Sequence, residues 1–226
     1  MGAKSLKLVI FDCDGTLVDS QHMIVAAMTT AYGAHDMPVP ERETLLSVIG
    51  LSLTEAFTKL GNGTARFPAA SLAEHYKLAF HALRASGDHM EPLYPGAADA
   101  IAALARREDV VLGIATGKSQ RGVRLVLTHY GLLDHFVTIK TADDAPSKPD
   151  PGMVLDAMRE AGVAPVDTVV VGDTVYDITM ARAAGAAAVG VTWGYHSGAA
   201  LAEAGASAVI DAFPTLMPTL DKMWTP

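Results

Sequence analysis

Short runs of apolar residues, each bounded by turn-forming or charged positions, recur along the chain at 8–11, 110–115, 136–139, 168–171, 187–191 and 208–210. Runs this short predict strands buried on both faces, as in a parallel sheet. Between most of them the apolar positions switch to helical spacing, over 97–106, 119–130, 151–161 and 177–184. Gly131, Gly162 and Gly185 sit where helices end, and Asp150-Pro151 offers a cap followed by proline at the first helical position. Strands alternating with helices predict an α/β fold, a doubly wound, Rossmann-like parallel sheet.

The alternation breaks once. From 19 to 93 no strand is expected, and Leu72, Tyr76, Ala79, Phe80 and Leu83 share helical spacing, closed by Gly87. The expected organisation is a catalytic core of residues 1–18 and 94–226 interrupted by a small α-helical cap domain, 19–93. An insertion after the first strand stands above the carboxyl ends of the sheet, where open α/β folds bind ligands. Lids in that place exclude water and select substrates.

Length and charge fit this picture. A chain of 226 residues suits one core carrying a smaller inserted unit. Seventeen basic residues against twenty-five acidic ones leave a net charge of -8, which argues against a nucleic-acid partner. The single cysteine, Cys13, excludes an internal disulfide and a Cys-rich zinc site and points to a reducing, cytoplasmic setting. No secretory signal is expected at the N-terminus, and Leu6 stands where a myristoylation motif requires Ser or Thr. The uncharged stretch 183–202 is interrupted by Gly185, Gly190, Gly194 and Gly198, so it reads as a helix end, a strand and a loop rather than a membrane span. No membrane partner is expected.

Polar residues gather where the strands end: Asp12 and Asp14 after the first, Thr116 after the second, Lys148 in the loop after the third, Asp173 and Asp177 after the fourth. Together they supply carboxylates for a hard cation, a hydroxyl and turn amides for an oxyanion, and a lysine for negative charge. Mg²⁺ takes oxygen ligands and is commonly held by one or two carboxylates with substrate phosphate, a role that suits Asp12 and Asp173. Two motifs fail on inspection. Gly113 to Lys118 has three residues between its glycines where a P-loop needs four, and the Asp12 loop lacks the remaining ligands of a calcium-binding hand. Cys13 should point away from both aspartates into packing, because successive side chains of an extended segment alternate.

Asp12-Cys13-Asp14-Gly15-Thr16-Leu17-Val18, Thr116 ending a strand, Lys148-Pro149 before a helix and Gly172-Asp173-Thr174-x-x-Asp177 resemble, in the same order, the signatures of the haloacid dehalogenase-like hydrolases. Within that superfamily the chain most resembles the phosphoglycolate phosphatase-like branch. The resemblance implies a Mg²⁺-dependent phosphatase acting on a small phosphorylated metabolite through an aspartyl phosphate. Asp12 would be the nucleophile and Asp14 the acid/base. Asp12, the Asp14 main-chain carbonyl and Asp173 would hold the metal, Thr116 and the Gly117 amide the phosphoryl oxygens. Lys148 would orient Asp12 and neutralise charge, and Asp177 would anchor Lys148 or a metal water. Thr174-x-x-Asp177 equally fits a helix-capping box.

Specificity should come from the insertion and the turn after the fifth strand, with Gln21, His22, Gly50, Arg84, Lys118 and Tyr195-His196 as candidates. Rival functions are a phosphomutase resembling β-phosphoglucomutase, a pyrophosphatase or a sugar or nucleotide phosphatase, and a phosphate-sensing module with little turnover. A dehalogenase has no use for Asp14, and a phosphonate-cleaving relative would need a cap lysine such as Lys59 or Lys77. A monomer or homodimer is compatible with all of these.

Overall fold

The computed structural model describes residues 5–86 and 91–225; the expected helix stop at Gly87 lies outside them. The chain opens with strand β1 (Lys7–Phe11), followed by helices α1 (Gln21–Gly33), α2 (Arg42–Leu46), α3 (Leu53–Leu60) and α4 (Ala69–Ser86). It continues as α5 (Ala97–Ala105), β2 (Val110–Thr116), α6 (Gln120–His129), β3 (Phe136–Thr141), α7 (Gly152–Ala161) and β4 (Thr168–Gly172). The remainder is α8 (Val175–Ala183), β5 (Ala187–Val191), α9 (Gly198–Glu203), β6 (Ala208–Ile210) and α10 (Leu216–Trp224).

The strands form one parallel sheet ordered β3-β2-β1-β4-β5-β6. β1 explains why the apolar runs lack alternation. Val9 and Phe11 enter a core with Ile101 of α5, Val123 of α6 and Leu220 of α10. Leu8 and Ile10 enter the opposite core with Val154 of α7, Ile178 of α8 and Leu201 of α9. Helices thus cover both faces, the doubly wound arrangement expected from the alternation.

Most boundaries match the expected spans within two residues. α8 starts two residues before 177, because the Thr174 hydroxyl already accepts the Asp177 amide and caps the helix. α7 starts after Pro151, while Asp150 Oδ1 accepts the Gly152 amide at 2.8 Å. α9 and α10 were not anticipated. α10 carries Pro218 in its first turn, where the missing amide leaves no bond unmade.

The helices between β1 and α5 have a core of their own, in which Phe57 and Leu72 are fully buried beside Met23, Ala27 and Tyr76. The chain leaves and re-enters the sheet through two adjacent segments. The Asp19 amide donates to the Pro92 carbonyl at 2.8 Å, the Tyr94 amide to the Leu17 carbonyl at 2.9 Å, and Val18 pairs antiparallel with Leu93. The insertion is therefore tethered directly beyond the end of β1. Among the described residues no helix is long and apolar enough to cross a membrane.

Candidate active site

The carboxyl ends of β1, β2 and β4, with the loop after β3, bring Asp12, Thr116, Asp173 and Lys148 to one edge, each almost wholly buried. Lys148 Nζ lies 2.7 Å from Asp12 Oδ1 and donates to Asp177 Oδ1 at 2.6 Å. Asp177 Oδ2 is occupied as well, accepting the Thr174 amide at 3.0 Å and the Thr174 hydroxyl at 2.7 Å. Both expectations for Asp177 therefore coincide: it closes the capping box of α8 and it holds the lysine.

Asp173 is fixed from two sides. The Thr16 hydroxyl donates to its Oδ1 and the Tyr195 amide to its Oδ2, both at 2.9 Å. Neither Asp12 oxygen, by contrast, has a well-directed hydrogen bond despite full burial. Ligand oxygens of Asp12, Asp173 and Asp177 lie within 4.8 Å of one another. Burial, reinforced by Asp177 and opposed by Lys148, pushes Asp12 up to about 7. Burial, with Asp177 and Asp12 beside it, likewise raises Asp173 well above the carboxylate range. For Lys148, burial works against the charge, but Asp12 and Asp177 outweigh it and raise the pKa. Buried carboxylates crowded around orphaned oxygens are what a hard divalent cation relieves. Mg²⁺ fits this donor set, with Asp12 and Asp173 as the carboxylates that keep lone pairs to spare, since Asp177 already takes three donors from Lys148 and Thr174 while Asp173 takes one on each oxygen.

Asp14 is turned differently. Its Oδ1 accepts from Lys118 Nζ at 2.8 Å, and the same ammonium donates to Glu91 Oε1 at 2.6 Å. Glu91 also pairs with Arg84 of α4, so a line of alternating charge runs from the core through the returning segment to the insertion. Burial disfavours the Lys118 charge, yet Asp14 and Glu91 raise its pKa. Thr116 Oγ1 accepts the Lys118 amide at 3.2 Å, which leaves its hydroxyl proton for another acceptor. At Gly117 a Cβ would stand 2.7 Å from the carbonyl oxygens of both Gly50 and Leu51, so only glycine lets this turn of the insertion reach the core.

The specificity candidates divide. Gly50, Arg84 and Lys118 line the cavity above Asp12. Gln21 and His22 do not line it: α1 presents Ile24 and Met28 there, Gln21 accepts from Arg42 at 2.6 Å, and His22 is exposed. Tyr195 lies outside the cavity lining as well, its phenol 3.2 Å from Ser20 Oγ beside the tethers. His196 Nδ1 accepts the Val175 amide at 3.1 Å, holding the start of α8. Of the two cap lysines, Lys59 donates to the Tyr176 phenol at 2.6 Å, and Lys77 lines the cavity and pairs with Glu74 at 2.7 Å. Cys13 is buried in the core, as alternation predicts. Glu91 and Thr16 were not singled out from sequence. Thr16 stands inside the first signature, whereas Glu91 is one acidic residue before a proline and carries no local signal.

The model of the haloacid dehalogenase-like hydrolases matches residues 9–191, which include every signature residue named above. The chain is 35% identical over 207 residues to the probable phosphatase IndB of Dickeya dadantii, covering 91% of this chain and 90% of that one. It is 31% identical over 219 residues to phosphoglycolate phosphatase 1 of Pseudomonas aeruginosa, covering 96% of this chain and 80% of the relative. A solved hydrolase from Pseudomonas syringae superposes with a TM-score of 0.83 at 29% identity, over 96% of this chain and 98% of that one. On this footing the chain belongs to the haloacid dehalogenase-like hydrolase family, in its phosphoglycolate phosphatase-like branch, and is a hydrolase of the phosphatase class.

Proposed function

We propose that the protein hydrolyses a small phosphate monoester with Mg²⁺ as cofactor and Asp12 as nucleophile, beneath the helical insertion acting as a cap. The observation that carries this reading is Asp12 itself: fully buried, with no polar partner among the described residues but the equally buried Lys148 ammonium 2.7 Å from one of its oxygens. Such a carboxylate is kept from solvation and stands ready to attack. Mg²⁺, held by Asp12 and Asp173 with the Asp14 carbonyl, would offset repulsion between the anionic nucleophile and its anionic substrate.

An Asp12 oxygen attacks phosphorus, the bond from phosphorus to the ester oxygen breaks, and the Asp14 proton passes to the departing alcohol. Water then attacks the aspartyl phosphate, gives its proton to Asp14, and inorganic phosphate leaves with Asp12 restored. Thr116 and the Gly117 amide hold phosphoryl oxygens during both transfers, and Lys148 balances the charge that builds on Asp12 and the phosphoryl group. The returning segment and the insertion exclude bulk water from the intermediate.

The test is phosphate release from phosphoglycolate, benzyl phosphate, sugar phosphates, nucleotides and pyrophosphate, with Mg²⁺ or with EDTA. Release should require Mg²⁺ and disappear in Asp12→Asn, while turnover at the parent's level in that variant would end the nucleophile assignment. Transfer of the phosphoryl group to a second sugar without net release would instead identify a mutase.

A further inference from the structure

Above Asp12 the site opens into a cavity of about 170 Å³. Its floor is the reacting end, Asp12, Asp14, Thr116 and Gly117. Its walls come from the insertion and are mostly apolar: Ile24 and Met28 of α1, Ile49 before α3, Leu53 of α3, and Tyr76 and Phe80 of α4. An apolar cavity of about 150 Å³ holds benzene by itself; here the phosphoryl group at the floor takes part of the space, so the alcohol that shares it is compact.

The cations along this wall are already matched. Lys118 stands between Asp14 and Glu91 at 2.8 and 2.6 Å, Arg84 pairs with Glu91, and Lys77 pairs with Glu74 at 2.7 Å. Lys118 and Arg84 also lie 5.2 and 5.0 Å from the Phe80 ring centroid, so the aromatic face is flanked by both charges. Among the described residues lining the cavity, every lysine and arginine has a carboxylate partner. A carboxylate on the leaving group would have to displace a carboxylate already on Lys118 or Arg84, turn outward to the exposed His81 or the exposed Lys77–Glu74 pair, or enter an apolar wall unpaired, and burying an unpaired charge is strongly unfavourable. A hydrocarbon would displace water from apolar side chains at no such penalty.

We propose that the alcohol released by this site is compact, uncharged and apolar, rather than the carboxylate-bearing alcohol of phosphoglycolate. The proposal rests on the phosphatase reading above and specifies its substrate class. Ile24, Met28 and Phe80 select the hydrocarbon, while the phosphoryl end is bound by the core as for any monoester.

The experiment compares kcat/KM with Mg²⁺ for benzyl phosphate, 3-methylbutyl phosphate and phosphoglycolate, all esters of primary alcohols. One well-placed methylene in an apolar pocket changes selectivity by about tenfold or more, so each apolar ester should exceed phosphoglycolate by at least about tenfold. Phosphoglycolate hydrolysed as well as or better than both overturns the proposal and leaves the phosphatase reading intact. Absence of phosphate release from these and from the wider panel removes both. Leu53 is only half-buried, so Leu53→Lys should fold and introduce an unmatched cation. The benzyl-to-phosphoglycolate ratio should then fall at least about tenfold. An unchanged ratio in the folded variant counts against the wall as the selector.

Discussion

Lys148 Nζ stands 2.7 Å from Asp12 Oδ1, and both side chains are cut off from solvent. The lysine also carries Asp177, so one ammonium serves two buried carboxylates. Breaking a buried pair from one side leaves the other charge uncompensated, at a cost of about 3–5 kcal/mol. Lys148→Met should therefore lower the unfolding free energy of the metal-free protein by about that amount, read from urea denaturation. A loss below about 1 kcal/mol would mean that Asp12 is protonated in the folded state and does not depend on the lysine.

A second expectation concerns the carboxylates that remain crowded even with Lys148 present. A cation that binds the folded cluster and not the unfolded chain stabilises the fold, so on the proposed reading Mg²⁺ at about 100 times its Kd should stabilise the protein by about 2.7 kcal/mol. Asp173→Asn withdraws one of the two available carboxylates and should remove most of the Mg²⁺-dependent rise in Tm. The variant's own Tm without metal serves as the reference, since the new amide also meets the Thr16 and Tyr195 donors. An undiminished Mg²⁺ response would exclude Asp173 as a ligand.

The parts of this molecule that could be read in advance are those fixed by local chemistry. β1 and β4 are apolar on both faces because helices cover both, and that requirement is written into each strand separately. The strand-end residues could be read because the parallel topology sends every one of them to the same edge. Glu91 could not. Its partners, Lys118 and Arg84, lie 27 residues after it and 7 before it, and nothing in the intervening pattern links the three. The facing of α4 was legible only in part: Tyr76 and Phe80 appeared as a core stripe, but that the same stripe borders the cavity depends on how the insertion docks. His22 shows the converse: a polar residue at the start of the insertion was a candidate for specificity, yet its place on α1 leaves it exposed.

Glu91 joins the returning segment to both sides of the cavity, accepting from Lys118 of the core and from Arg84 of α4. Hydrogen bonds to charged groups contribute about 1.5–3 kcal/mol each, and Glu91→Gln keeps the shape and an amide oxygen that can accept from one of the two cations, but loses the other bond. Its unfolding free energy should fall by about 1.5–3 kcal/mol. Arg84→Met added to Glu91→Gln should cost less than the sum of the two single changes, because the arginine has then already lost its charged partner. Strict additivity in the double-mutant cycle would show that the pair carries no coupling energy.

His196 links stability to pH. Burial lowers its pKa below 6.5, and its Nδ1 must be unprotonated to accept the Val175 amide. Below about pH 6.5 the unfolded chain takes up a proton that the folded imidazole resists, so this contribution is complete above that pH and is lost on acidification. Asp12 works in the opposite sense without metal. Its pKa is raised to about 7, so the folded state holds the extra proton between about pH 4 and 7 and loses stability as pH rises through that window. A melting curve of the parent alone would mix the two trends. His196→Asn separates them, because its amide oxygen can still accept the Val175 amide but does not titrate. On moving from pH 7.5 to 5.5, the parent's Tm should therefore fall relative to the variant's, whatever the sign of either change alone. Parallel shifts in the two proteins would show that His196 protonates in the folded state as readily as in the unfolded one, and that its bond to the start of α8 is not maintained in solution.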